Sequence, residues 1–206
     1  HMVRDDQGRT RARDYRFRTP SGQVLMGVAA WVNPLWRGNV QVRDGVDIAI
    51  VKLDGLITDI PAPATLYAGT RELGQRAVLV GFGYRGVGRY GAGLRFGEHG
   101  LKTDDDAGNA LEIDFDSLTG VSKNPLGDPT PTPLEGVLAS GDSGGALWVQ
   151  FPGGWRVVGV NSAGRDAITN RISYFARVST QRAFIQSVFP GARFDQGEAA
   201  RGPRRR

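Results

Sequence analysis

Gly141-Asp142-Ser143-Gly144-Gly145 lies between a loop-like segment and a predicted strand in this chain of 206 residues. Glycines on both sides of a serine allow a tight turn with convergent backbone N–H groups, and they let a substrate approach without Cβ hindrance. A serine hydroxyl attacks a carbonyl well only when a base takes its proton and donors stabilise the oxyanion. The pentapeptide therefore predicts a nucleophile at Ser143, with an ordinary glycine-rich turn as the alternative.

A second segment is Asp47-Ile48-Ala49-Ile50-Val51-Lys52-Leu53, an acid followed by an apolar, β-branched run of strand length. With the pentapeptide it resembles the trypsin-like (chymotrypsin-fold) serine peptidases, whose triad aspartate opens such a strand. Ser143 follows Asp47 by 96 positions, close to the interval in that family. The resemblance implies an all-β fold, a double six-stranded antiparallel β-barrel of chymotrypsin type with a C-terminal helix.

Three further segments agree with this resemblance in order and content. Residues 78–83 are similar to the first strand of the family's second barrel. Residues 159–164 are similar to the segment that pairs with the substrate backbone, although Ala163 replaces the usual tryptophan. Residues 179–189 predict a capped amphipathic helix, which is how these peptidases end.

The composition also favours an all-β protein, because 30 glycines and 11 prolines punctuate short β-like runs. The predicted strands are 23–32, 47–53, 77–83, 110–116, 145–151, 155–162 and 172–178, and 119–133 is predicted as a long surface loop. The resemblance divides the chain into the remainder of the N-terminal barrel (1–62), an inter-barrel connection (63–76), the C-terminal barrel and terminal helix (77–190), and a basic, disordered tail (191–206).

The catalytic histidine is the unsettled part of the resemblance. The sequence has two histidines, and His1 precedes Asp47 by 46 positions, as in the family. His-Met is also what a cloning site leaves before a start methionine, so both origins of His1 stay open. His99 is predicted as an exposed loop residue. Since no opening strands precede His1, we expect the first barrel to be incomplete and the chain to be a fragment, with its own N-terminal fragment as a potential partner.

The resemblance assigns roles to particular residues. The implied catalytic residues are His1, Asp47 and Ser143, the implied oxyanion donors are the N–H groups of Gly141 and Ser143, and the implied substrate-binding residues are Val137, Ser162, Ala163, Gly164 and Ser173. Val137 stands where trypsin-type enzymes carry an aspartate, which favours cleavage after small or medium apolar residues. Glu135 lies nearby and is the alternative anchor for a basic residue. The implied function is a serine endopeptidase acting on proteins or peptides; the alternative is an inactive homologue that binds or regulates.

Other features bound the function. The absence of cysteine excludes disulfides and thiolate metal sites, and leaves a reducing, cytoplasmic compartment open beside the secreted or periplasmic location that the resemblance favours. We predict no metal or cofactor. Asp104-Asp105-Asp106 lacks EF-hand spacing and indicates a solvated turn.

The net charge of +5 owes much to residues 201–206. That basic run has no nucleic-acid-binding motif beside it, so nucleic acid is not predicted as a partner. No apolar run is long enough for a membrane span.

Overall fold

A computed structural model of the chain describes residues 1–3, 10–37, 44–83, 108–115, 126, 136–164 and 172–198, and the backbone of 95–100. The elements in these residues are strands with one short α-helix and one 3-10 helix (Ala12–Asp14). They are β1 (Arg16–Arg18), β2 (Val24–Val32), β3 (Ala49–Leu53), β4 (Leu66–Tyr67), β5 (Arg76–Gly81), β6 (Arg95–Gly100), β7 (Ala110–Asp114), β8 (Ala146–Phe151), β9 (Gly154–Ala163), β10 (Ile172–Arg177), α1 (Arg182–Val188) and β11 (Phe194–Asp195). The predicted all-β character is confirmed.

The strands form two sheets. The smaller one is antiparallel with the order β1-β2-β3. The larger one has the order β11-β4-β9-β8-β5-β6, with β10 joining β9 to β7, and it curls into a half-barrel. Most neighbours are antiparallel, whereas β4 pairs in parallel with both β9 and β11. Strand β9 therefore lies at the centre of the larger sheet.

The core follows from the apolar positions of these strands. Eleven buried side chains form the main cluster inside the larger sheet, where the Tyr67 and Phe151 rings stack 4.4 Å apart. A second cluster joins Ile48, before β3, to Ile185 of α1 and to buried residues of β9 and β10. Burial of one such aliphatic side chain is worth about 1.5–3 kcal/mol. The second cluster thereby fixes the backbone next to Asp47.

Several elements differ from the sequence prediction. Strands β1, β4, β6 and β11 were not predicted, because each is short or flanked by glycine and charge and lacks the alternation that marks a strand. The prediction of a loop at His99 was wrong for the backbone, which lies in β6 opposite Ala77. Strand β11 lies within 191–206, where composition predicts disorder; it pairs with β4 and so is ordered by tertiary contact.

The predicted C-terminal helix is present but begins at Arg182 rather than near Ser179. Its N-cap residue, Gln181, makes no side-chain capping bond. The Thr180 hydroxyl instead donates to the Arg177 carbonyl at 2.9 Å. The Ser179 hydroxyl donates to Glu72 at 3.4 Å, so neither of these two side chains caps the helix.

Four predictions concern residues outside the described part of the chain. These are the loop at 119–133, apart from Leu126, the alternative anchor at Glu135, the turn at 104–106 and the basic run at 201–206. Within the described residues, no helix is both long and apolar enough to cross a membrane.

Candidate active site

Asp47 is the most connected polar side chain at the site. Its carboxylate is buried, with 3% of the side chain exposed. Oδ2 receives Nδ1 of the His1 ring and the hydroxyl of Ser162, whose Oγ lies 2.6 Å away. Oδ1 accepts from the main-chain nitrogen of His1. A buried carboxylate needs such donors, because it would otherwise lose its hydration without compensation.

The His1 ring is held between this carboxylate and Trp36. The indole is 3% exposed, and the two ring centroids are 6.5 Å apart at 46°. A short turn after β2 holds Trp36 there. The backbone N–H of Trp36 donates to the Asn33 carbonyl at 3.0 Å, and the backbone N–H of Asn33 donates to the Ile48 carbonyl. With Nδ1 directed at Asp47, the Nε2 edge of the imidazole is the edge left for proton transfer.

The loop that carries Ser143 consists of two successive turns. The Asp142 N–H donates to the Ala139 carbonyl at 3.1 Å, and the Gly145 N–H donates to the Asp142 carbonyl at 3.1 Å. The third residue of each turn is a glycine with positive φ, 94° at Gly141 and 80° at Gly144. Type II turns require this conformation at that position, and residues with a Cβ adopt it rarely. The two glycines of the motif therefore shape the loop.

The Asp142 side chain pins this loop to the end of β5. Its Oδ1 accepts the Gly83 N–H at 2.7 Å and its Oδ2 accepts the Ala139 N–H at 3.0 Å. A Cβ at Gly83 would meet Asp142 Cγ at 2.6 Å, so the absence of a side chain there lets the carboxylate approach. The two partners come from separate segments of the sequence, Asp142 from the motif at 141–145 and Gly83 from the segment at 78–83.

Two backbone donors of the loop remain available for a ligand. Within the part of the chain that the structure describes, the N–H groups of Gly141 and Ser143 donate to no protein acceptor. Gly141 is exposed and Ser143 is half-buried. These are the donors that the sequence assigned to an oxyanion site. The Ser143 hydroxyl likewise makes no hydrogen bond to another described residue, the His1 ring included.

Ser143, Asp47 and His1 all line one cavity of about 390 Å³. The other lining residues are mostly apolar: Met2, Val3, Tyr15, Phe17, Ala49, Val51, Val160, Gly144 and Asn161. The cavity lies between the smaller sheet, the loop that carries Ser143 and β9. A ligand there would meet the serine, the imidazole and an apolar wall together.

Three of the predicted substrate-binding residues, Val137, Gly164 and Ser173, form a group apart from the cavity. Ser173 is fully buried and its Oγ accepts the Leu138 N–H at 3.1 Å, next to half-buried Val137. Gly164 lies against them, since a Cβ there would meet Leu138 Cβ at 3.0 Å. Among the described residues that line the cavity, none belongs to this group, and Ser162 and Ala163 are not among them either.

Sequence reasoning missed the side-chain roles of two residues. Ser162 was predicted to bind substrate through its backbone, whereas its hydroxyl donates to Asp47. Asn161 received no role, yet its side-chain amide donates to the Asp142 carbonyl at 2.9 Å. A polar side chain inside an apolar strand, as in Val158-Gly159-Val160-Asn161, is the signal that marks such a residue.

No protein-family model and no curated protein matches this chain. Within the described residues, no group of three or more His, Asp or Glu side chains lies close enough to hold a metal ion.

Proposed function

We propose that this protein is a serine endopeptidase of the trypsin-like type, with Ser143 as nucleophile, His1 as base and Asp47 as the residue that orients the base. One observation carries the proposal. The buried Asp47 carboxylate receives the imidazole Nδ1 of His1 at the wall of a cavity that also contains the serine of the Gly-Asp-Ser-Gly-Gly motif. These three residues are separated widely in sequence, and their residue types are those of the Ser/His/Asp triad.

The chemistry follows from the protonation states. With its Nδ1 proton directed at Asp47, the neutral imidazole accepts the Ser143 hydroxyl proton at Nε2 while Oγ bonds to the scissile carbonyl carbon. The imidazolium then protonates the leaving amine, which breaks the C–N bond and leaves an acyl-enzyme. A water molecule repeats the sequence and releases the acid. Asp47 stays ionised throughout and stabilises the imidazolium.

The oxyanion of each tetrahedral intermediate is assigned to the N–H groups of Gly141 and Ser143. Both are backbone donors that no described residue occupies. Fixed backbone donors cost no reorganisation during the reaction, and loss of one donor in comparable sites costs about 10²–10³ in kcat. The lack of a hydrogen bond between the Ser143 hydroxyl and the His1 ring is compatible with this role, because catalytic hydrogen bonds often tighten only with substrate bound.

We extend the proposal to the fold. We propose that the smaller sheet belongs to the N-terminal barrel of a chymotrypsin-type double barrel, and that the larger, curled sheet belongs to the C-terminal barrel. The supporting observation is the position of the site: Asp47 stands just before β3 of the smaller sheet, and Ser143 stands just before β8 of the larger one.

Apolar substrates are favoured by the surroundings of Val137. Its neighbour Leu138 is a buried apolar residue whose N–H donates to the buried Ser173 hydroxyl, and Val137 itself carries no charge. An uncharged site cannot compensate the desolvation of Arg or Lys. Peptide p-nitroanilides that end in Val or Ala should therefore be cleaved faster than those that end in Arg, and Val137→Asp should shift the preference toward Arg.

A fluorophosphonate probe tests the proposal directly. We expect the probe to modify Ser143 of the full chain, located by mass spectrometry, and Ser143→Ala to abolish both labelling and peptide cleavage. Ser140→Ala is the matched control, because Ser140 is an exposed serine of the same loop. Labelling that persists in Ser143→Ala, or a wild-type chain that neither labels nor cleaves, would overturn the proposal and favour a non-catalytic homologue that binds or regulates.

A further inference from the structure

Asn161 is a buried polar residue directly behind the nucleophile. It is 2% exposed and lies on β9, immediately before Ser162. Its Nδ2 donates to the carbonyl of Asp142, the residue before Ser143, at 2.9 Å. A Cβ at Gly145 would lie 2.7 Å from Nδ2, so the second glycine of the motif's final pair makes room for the amide.

The hydrogen bond from Asn161 to the Asp142 carbonyl also affects the direction of the Ser143 N–H. The Asp142 carbonyl and the Ser143 N–H belong to the same planar, trans peptide, so they point in opposite directions. Two donors hold that carbonyl, the Asn161 amide and the Gly145 N–H. Fixing the carbonyl from one side therefore directs the Ser143 N–H to the other side, where no described residue accepts it.

Stability alone does not account for an asparagine at this position. Its Oδ1 is buried and has no hydrogen-bond partner among the described residues. A buried acceptor without a partner costs about 1–3 kcal/mol. An apolar side chain of similar size would remove that cost, and the Asp142 carbonyl would still accept the Gly145 N–H. Such a retained cost is typical of a functional site.

We infer that Asn161 is a positioning residue that orients the Ser143 N–H for oxyanion stabilisation. The inference rests on the proposed function, since an oriented donor matters only if Ser143 forms a tetrahedral intermediate. The inference concerns only the side chain of Asn161. The backbone of Asn161 bonds to Gly144 and Gly145 at 2.9 Å each, and these bonds survive a change of side chain.

The test is Asn161→Leu in the full chain, which keeps the volume and removes the amide. With a Val-ending peptide p-nitroanilide, we expect kcat to fall about 10- to 100-fold, less than the loss of a whole donor, and KM to stay within about twofold. Affinity for a peptide boronic acid ending in boro-valine, whose adduct places an oxygen in the oxyanion site, should fall by the same factor as kcat. The thermal midpoint should stay within about 2 °C of the wild type or rise.

Val158→Ala is the control for packing, because Val158 is a fully buried residue of the same strand that belongs to the main core cluster. It should lower the thermal midpoint and leave kcat and boronate affinity unchanged. If Asn161→Leu lowers the midpoint as Val158→Ala does while kcat and boronate affinity hold, Asn161 is only structural and the inference is overturned. A wild-type chain that does not react with the fluorophosphonate overturns the proposed function first, and the inference with it.

Discussion

Asp47, which lines the cavity, and Asp142, which precedes Ser143, are two buried aspartates held by different kinds of partner. Both are nearly inaccessible, at 5% and 6% exposure. Asp47 receives two side chains, the His1 ring and the Ser162 hydroxyl, and the amino nitrogen of His1. Asp142 receives backbone N–H groups from Gly83 and Ala139. These partners of Asp47 can rotate or titrate, whereas the two backbone partners of Asp142 can do neither.

The difference separates two tasks. In the proposed mechanism, side-chain partners let Asp47 set the tautomer and charge of an imidazole, which is a task in proton transfer. Backbone partners let Asp142 fix the path of a loop, which is a task in geometry. The comparison predicts that changes at Asp47 mainly alter rates, whereas changes at Asp142 mainly alter the free energy of unfolding.

The largest expected effect is that of Asp47→Asn on the rate. An asparagine amide can donate to Nδ1 of His1, which would place the ring proton on Nε2 and disable it as a base. We expect fluorophosphonate labelling and peptide cleavage to fall by about 10⁴-fold, with a smaller loss of unfolding free energy than in Asp142→Ala because the asparagine side chain keeps an oxygen acceptor. Asp54→Asn at the other end of β3 is the control and should be neutral. A labelling rate near wild type in Asp47→Asn would separate Asp47 from the chemistry.

The second effect is on stability. Asp142→Ala leaves the Gly83 and Ala139 N–H groups without these acceptors, at about 1–3 kcal/mol for each buried group. We expect the unfolding free energy from urea titration to fall by about 2–4 kcal/mol. Gly83→Ala should destabilise from the opposite side, because its Cβ would crowd Asp142 Cγ. If Asp142→Ala were as stable as Asp47→Asn, the contrast between the two aspartates would be lost.

A smaller effect is expected for Ser162→Ala, which removes one of the two side-chain donors to Asp47 Oδ2. The His1 contact remains, so the tautomer is still set and the rate should fall by less than about tenfold. The unfolding free energy should fall by about 1.5–3 kcal/mol, as for a hydrogen bond to a charged group. A rate loss as large as that of Asp47→Asn would mean that Ser162, rather than His1, governs the orientation of the carboxylate.

The fold was predictable where local pattern and tertiary environment agree. The long apolar runs at β2, β3, β8, β9 and β10 were located from sequence to within a few residues. The short strands β4 and β11 were not located from sequence. A strand of two residues has no periodicity of its own, and these two strands form by pairing with each other. Helix α1 was placed, but its start was wrong since Thr180 bonds back to Arg177.

The sequence identified most residues of the candidate site, but it did not predict all of the contacts between them. Asp47, Ser143 and Gly141 were singled out because their local motifs constrain chemistry and turn geometry together. The resemblance pairs His1 with Asp47 through their 46-position interval, whereas Ser162 lies 115 positions from Asp47 and no local pattern predicts the bond between them. Asn161 lies among apolar residues of a strand, and its role depends on a loop 19 positions earlier.

The smallest predicted effect comes from a third aspartate, Asp195, which is 42% exposed in its side chain and so tests the comparison outside the core. The hydrogen bond from Arg156 is the main cause that lowers the pKa of Asp195; burial acts in the opposite direction, and the Gly197 N–H adds to the lowering. Arg156 Nε lies 2.6 Å from Oδ1, and the Gly197 nitrogen lies 2.7 Å from it.

Because the folded pKa of Asp195 lies below its unfolded value of 3.8, the carboxylate stabilises the fold above that pH, and this contribution is lost as the pH falls through the folded pKa. Solvent screening at a half-exposed pair limits it to less than about 1 kcal/mol. We expect the urea midpoint of the wild type to fall more steeply than that of Asp195→Asn between about pH 5 and about pH 3. Glu198→Gln, at a looser exposed pair with Arg71 at 3.4 Å, should leave the wild-type slope unchanged. Parallel slopes for wild type and Asp195→Asn would show that an aspartate in this chain needs burial, as at Asp47 and Asp142, before its partners affect stability.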